Sequence, residues 1–180
     1  PYMDITFDGY KAPSLLQTPG AQEISVEFNS LSKTYNMAGW RLGMACGQES
    51  AITALHTLKT NVDSSQFQAI QAAGVAALTG DQMWFSKRNA IYQERRDIVL
   101  DGLSKTGLVA HKPQAAMYVW VRTHTEVPSS EFTQAILEEI GVSVTPGSFF
   151  GECGEGYFRI SLGTPVPRIQ EAMERIAAWV

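Results

Sequence analysis

Cysteine is scarce in this chain of 180 residues: only Cys46 and Cys153 occur, far apart and without metal-ligand spacing. That excludes a disulfide framework and a cysteine metal site, and it predicts buried free thiols in a reducing cytoplasm. Charge is thin as well, with 18% charged residues and a net charge of −4. No basic cluster exists to neutralise the phosphates of a nucleic acid or an anionic membrane surface. No apolar run approaches the roughly 20 residues that span a bilayer. A signal-peptide pattern, an internal repeat and a low-complexity tract are all lacking. So is an initiator methionine: the chain opens on Pro1, which predicts a start that has been processed, cut or left out.

Hydrophobic residues make up 44% of the chain, enough for a packed core. The length suits one good-sized domain or two small ones. The most informative stretch is Ser30–Gly43, SLSKTYNMAGWRLG, which follows an apparent strand, Glu23–Phe28. It suits neither a core nor a regular helix. Gly39 and Gly43 permit close approach of backbone to a ligand. Ser30, Ser32 and the Arg41 guanidinium suit a phosphate, because arginine presents a planar fork of donors to its oxygens. Lys33, held beside such an anion, is a candidate amine nucleophile for a carbonyl.

This stretch resembles the pyridoxal-phosphate lysine signature of the class I/II aminotransferases: Ser-x-Ser-Lys, then Arg, then Gly. In that family the lysine forms an internal aldimine with the cofactor aldehyde, and the serine three before it and the arginine eight after it hold the cofactor phosphate. By position these are Lys33, Ser30 and Arg41, with Ser32 also part of the signature. The same resemblance covers the start of the chain. Tyr2, followed by MDITFDG, matches the tyrosine of the family's Asp-x-x-Tyr, whose hydroxyl meets the cofactor's phenolic oxygen. The aspartate would lie upstream of residue 1.

The remaining pattern predicts a series of short elements. PYMDITFDGY has a strand rhythm, and Arg41–Gly47 reads as a short buried strand. Glu49–Lys59 has helical spacing, with Ile52, Leu55 and Leu58 on one face and His56 as a surface or packing residue. Ser64 or Asp63 is expected to cap a helix over Ser65–Leu78. Asp81 is expected to open a long helix to about Ser104, with Glu94, Arg95, Arg96 and Asp97 on a solvated face and Gly107 after its end. A strand at Met117–Arg122 follows, then a helix from Ser129 or Ser130 through Glu139 and a short strand at Val142–Val144. TPGSFFG reads as a Pro-Gly loop, EGYFRISLG as a strand and Pro165–Val180 as a helix.

Within EGYFRISLG, Arg159 sits among Tyr157, Phe158, Ile160 and Leu162; it needs a partner if buried, and otherwise pairs with a local acid or faces water. FRISLG resembles the aminotransferase motif whose arginine clamps the substrate α-carboxylate. KTNVDSSQFQAIQAAG resembles the LL-diaminopimelate aminotransferase-like subgroup. The resemblance covers essentially the whole chain. It implies an α/β fold: the C-terminal part of the fold-type I large domain over residues 1–80, a connecting helix over 81–106, and a small C-terminal domain over 107–180.

The implied activity is movement of an amino group between an amino acid and a 2-oxo acid with pyridoxal phosphate. Lys33 is the catalytic residue, Ser30, Ser32, Arg41 and Tyr2 bind cofactor, and Arg159 binds substrate. No metal enters. A cytoplasmic homodimer is the family expectation. The family's N-terminal half is missing from this reading, and the chain alone is expected to be inactive or nearly so. Two alternatives stay open: a lyase or synthase of the same fold and cofactor, and a cofactor-free fragment or interaction module.

Overall fold

A computed structural model describes residues 1–123 and 126–180 of the chain. The chain divides into two compact units, Pro1–Ser86 and Lys87–Val180.

The first unit opens with turns rather than the expected strand. Only Thr6 makes a bridge, while Ile5 and Phe7 are buried. The expected strand at Glu23 starts late. Gly20, left-handed at φ 79°, leads into a helical turn, α1 (Ala21–Ile24), and the strand β1 is Val26–Ser30. It pairs antiparallel with β2 (Gly43–Gly47), Val26 opposite Gly47 and Ser30 opposite Gly43. β2 is largely exposed, not buried as its apolar letters suggest. At Gly47 glycine is required: φ is +146°, and a Cβ there would lie 2.2 Å from the Ser25 carbonyl oxygen.

Between these strands the chain forms α2 (Leu31–Thr34) and a 3₁₀ turn, Ala38–Trp40. The lysine stretch therefore does carry a helical turn. Helix α3 runs Glu49–Val62 and α4 runs Gln68–Thr79. Neither Ser64 nor Asp63 caps α4: its N-cap is Phe67, without a side-chain bond. Asp63 ends α3 instead and pairs with Lys59.

The second unit is built on an antiparallel sheet in the order β3 (Val109–Ala110), β4 (Tyr118–Arg122), β6 (Tyr157–Ser161), β5 (Thr145–Pro146). Alternation sends Val119, Val121, Phe158 and Ile160 to one face, where all are buried. Helix α6 (Ser129–Ile140) covers that face, with Phe132 5.6 Å from Phe158 between ring centroids. Phe132 also meets Trp179 of α7 (Val166–Trp179) edge-on. α7 buries Ile169, Met173 and Ile176, one turn apart in each case.

Val142–Val144 is not a strand. Gly141 takes φ 67°, and the Val142 N–H donates back to Ile136 O, completing the helix end. Helix α5 (Trp84–Leu103) begins three residues after Asp81, whose carboxylate accepts from the Met83 N–H. Its charged run is only half a solvated face: Glu94 and Asp97 are exposed, but the arginines are not. Arg96 is fully buried, bonded to Asp97 and to the Pro113 carbonyl, and Arg95 donates to the Leu162 carbonyl. Gly107 does sit past the helix end at φ +74°.

Both cysteines are free, and both are exposed rather than buried. Among the described residues, no helix is long and apolar enough to cross a membrane.

Candidate functional site

The lysine-bearing turn is held by its own serine. Ser30 is the last residue of β1 and the N-cap of α2, where its Oγ accepts from the Ser32 N–H at 3.2 Å. Lys33 sits in the single turn of α2, half-buried, between buried Leu31 and buried Thr34. Those two flanking residues anchor the turn. The Leu31 N–H donates to the Leu42 carbonyl at 3.1 Å, closing the loop across to the far strand. Thr34 Oγ1 donates to Asp4 Oδ2 at 2.9 Å. Asp4 lies two residues beyond Tyr2, so the N-terminal turn is tied to the lysine turn. Tyr2 itself is half-buried, and its carbonyl accepts from the Ile5 N–H.

Arg41 reaches the same loop from its other end. It adopts a left-handed backbone, φ 53° and ψ 44°, uncommon for a residue with a side chain. Asn36, in the same loop, is also left-handed. Such residues cost about 1–3 kcal/mol each and persist where the surroundings fix them. Arg41 is fixed on both sides: a guanidinium N–H donates to the Ala38 carbonyl at 3.0 Å, and its own carbonyl accepts from Gln66 Nε2 at 3.1 Å. Among the described residues, no carboxylate pairs with Lys33 or Arg41. One short loop thus presents an amine, a guanidinium and two hydroxyls with no internal anion to neutralise them. That donor set fits a phosphate-bearing aldehyde.

Arg159 belongs to the second unit. It lies on β6, opposite Trp120 of β4 and Thr145 of β5. Its guanidinium stacks over the Tyr118 ring at 4.0 Å and the Phe150 ring at 4.4 Å. Arg159 is half-buried rather than buried, and its contacts are aromatic faces, with no carboxylate paired to it among the described residues. Tyr118 and Phe150 escaped the sequence reading. The alternation of MYVWVR was the available signal for Tyr118, because residues diagonal across an antiparallel pair lie within reach of long side chains. Nothing in the sequence pointed to Phe150 rather than Phe149.

The loop that carries Phe150 is bolted to α6. Glu155 accepts from the Ser129 N–H at 2.5 Å and from the Ser129 hydroxyl at 3.0 Å. The Ser129 N–H, with the Gly156 N–H and the Ser129 hydroxyl, holds the Glu155 carboxyl below its ordinary value. In turn the Ser148 N–H donates to Ser129 Oγ at 3.2 Å.

Comparison with known proteins gives the family. The family described as aminotransferase class I and II matches residues 2–176. The LL-diaminopimelate aminotransferase of Moorella thermoacetica is 51% identical over 175 residues, 97% of this chain and 45% of the relative. That of Maridesulfovibrio salexigens is 48% identical over 177 residues, 98% of this chain and 46% of the relative. The chain therefore spans about half the length of the curated relatives it matches.

Among solved structures, a probable N-succinyldiaminopimelate aminotransferase from Thermus thermophilus superposes with a TM-score of 0.93 at 38% identity, covering 100% of this chain and 48% of that one. An aromatic aminotransferase from Pyrococcus horikoshii gives 0.93 at 32%, covering 99% and 48%. The α/β fold is that of the fold-type I aminotransferases. Because the match runs almost from end to end, the chain belongs to the class I and II aminotransferase family.

Proposed function

We propose that this chain is the lysine- and arginine-bearing part of an aminotransferase that moves an amino group between an amino acid and a 2-oxo acid, with pyridoxal phosphate as cofactor. One observation carries the reading: Lys33 and Arg41, both without a carboxylate partner among the described residues, are presented by one loop beside the Ser30 cap. When bound, pyridoxal phosphate supplies the electron sink for the negative charge left at the substrate α-carbon.

The chain's own groups divide the remaining work. Arg41 and the hydroxyls of Ser30 and Ser32 would hold the phosphate by charge-assisted hydrogen bonds. The Tyr2 hydroxyl would hold the cofactor's phenolic oxygen. The Lys33 amine would hold the cofactor's aldehyde carbon and, when free, would take the proton from the substrate α-carbon as a general base. Arg159 takes the α-carboxylate in its planar fork, which fixes the direction of the α-hydrogen.

The names of the most similar relatives point to a diaminopimelate-type amino donor. Homodimerisation, a cytoplasmic location and the domain division at residues 80 and 106 follow the same family likeness.

The test is an absorption titration of the chain with pyridoxal phosphate, then borohydride reduction and mass mapping, beside Lys33→Ala. A reduced adduct on Lys33 that vanishes in the variant is expected. In a chimera joining this chain to the remainder of the Moorella relative, Lys33→Ala should lower amino transfer by about 10²- to 10⁴-fold. Adducts scattered over other lysines, with transfer by the chimera intact in Lys33→Ala, would sink the proposal.

A further inference from the structure

The Arg159 guanidinium lies against two aromatic rings, and that contact bears on what it can hold. Its Cζ lies over the Tyr118 ring at 4.0 Å and over the Phe150 ring at 4.4 Å. The rings attract the cation through their negative faces, while no carboxylate or carbonyl takes its N–H donors among the described residues. A carboxylate ion pair would do the reverse and consume those donors. An arginine held by rings alone therefore keeps its N–H fork for an incoming anion.

Phe150 is held in place for this. It is 49% exposed, so burial alone does not keep it there. Two independent constraints on its loop do. The Ser148 N–H is tied to Ser129 Oγ, which is itself tied to Glu155. Gly147 and Gly154 also lie back to back: a Cβ on Gly147 would sit 1.9 Å from the Gly154 carbonyl oxygen, and one on Gly154 would sit 2.1 Å from that of Gly147. A second layer of rings supports the first. Trp120 meets Phe150 edge-on at 5.5 Å and stacks on Tyr157 at 5.6 Å.

The geometry points to Tyr118 and Phe150 as positioning residues that hold the Arg159 guanidinium by their ring faces and leave its N–H donors for a carboxylate. The Glu155–Ser129–Ser148 chain holds Phe150 from behind. This rests on the carboxylate role proposed above for Arg159.

The experiment is nitrogen-15 NMR of the Arg159 side-chain Nε–H in the whole 180-residue chain, with acetate as the probe and Arg159→Lys to assign the signal. The expected wild-type signal is displaced upfield by the two rings and moves on addition of acetate. Phe150→Leu should lose most of the displacement and weaken acetate binding about 3- to 10-fold. Phe150→Tyr, which keeps a ring, should restore both.

Thermal midpoints recorded alongside separate this from general loosening, since Phe150→Tyr and Phe150→Leu differ in ring and not in burial. An unchanged signal and an unchanged acetate midpoint in Phe150→Leu would overturn the inference. A displaced wild-type signal that acetate leaves unmoved would overturn it too, by removing the carboxylate role of Arg159. That result would leave the Lys33 adduct test standing, so the two failures are distinguishable.

Discussion

Within this stretch of chain, which spans about half the length of its relatives, the two units bury apolar surface differently. In the second, one face of an antiparallel sheet and the stripes of α6 and α7 close on each other, and Val119, Val121, Phe158, Leu162, Ile136 and Ile176 are essentially inaccessible. In the first, the buried apolar set is Ile5, Phe7, Ala21, Leu31 and Met37, and none of the described residues of α3 is buried. Phe28, Leu58, Val62, Phe67 and Val75 are all more than half exposed. In the first unit buried Leu31 and Thr34 anchor the lysine loop. The second carries Arg159 on a sheet whose opposite face is packed core. Rigidity at Lys33 thus comes from hydrogen bonds and strained backbone, and at Arg159 from packing.

The largest test of that contrast is truncation of the sheet core. Phe158, 0% exposed, should cost about 3–5 kcal/mol as Phe158→Ala. Phe28→Ala, at 68% exposure, should stay within about 0.5 kcal/mol. Urea unfolding followed by circular dichroism measures both, and equal losses would break the comparison. Next comes Arg96→Ala. It removes a buried cation and strands the Pro113 carbonyl, for about 2–3 kcal/mol. Lys59→Ala, which breaks an exposed pair with Asp63, should cost no more than about 1 kcal/mol.

Two glycines sharpen the difference at smaller scale. A Cβ on Gly102 would lie 2.6 Å from Met173 Cβ, near the root of a packed side chain. Gly102→Ala should therefore destabilise by about 1–3 kcal/mol despite the helix-propensity gain. On Gly74 the clash is with the tip of Leu42, at 2.3 Å. That end can swing aside, and Gly74→Ala should be within about 1 kcal/mol of neutral. Thermal melts of the two variants decide it.

How much of this was legible follows the range of the interactions. That Ser30, Ser32, Lys33 and Arg41 share one loop could be read because they stand close in sequence and the loop is local. The helices α6 and α7 were legible from periodic Phe132, Ile136, Ile169 and Met173. The aromatic clamp on Arg159 was not, because Tyr118 and Phe150 are brought to it by sheet register and by a loop bolted to α6. Arg95 and Arg96 looked solvated because four charges stand in a row. The sequence does not say that an arginine stem can be buried while its head bonds to carbonyls. The start of β1 was misplaced because Glu23 and Ile24 continue the strand's alternation, while Gly20 turns the backbone into a helical turn.

The smallest effect is a pH effect, and it has the same sign in both units. Glu155 is held below its ordinary pKa by the Ser129 N–H first, then by the Gly156 N–H and the Ser129 hydroxyl. Glu27 is held below its own by the Ser14 hydroxyl first, then by the Leu15 and Leu16 N–H groups. A carboxyl whose folded pKa is depressed contributes stability that is present above its unfolded pKa, about 4.3. The contribution is lost as pH falls through the lower folded value. Glu155→Gln should therefore lower the melting midpoint of the second unit at about pH 7, with the gap to wild type closing as pH falls below about 4. Glu27→Gln should act in the same window but locally, speeding amide exchange at Leu15, whose N–H donates to Glu27 at 2.8 Å. The second unit's melt should be left where it was. If Glu27→Gln moved that melt as far as Glu155→Gln does, the two units would not be stabilised separately, and the contrast between a hydrogen-bonded loop and a packed sheet would fail at its weakest contact.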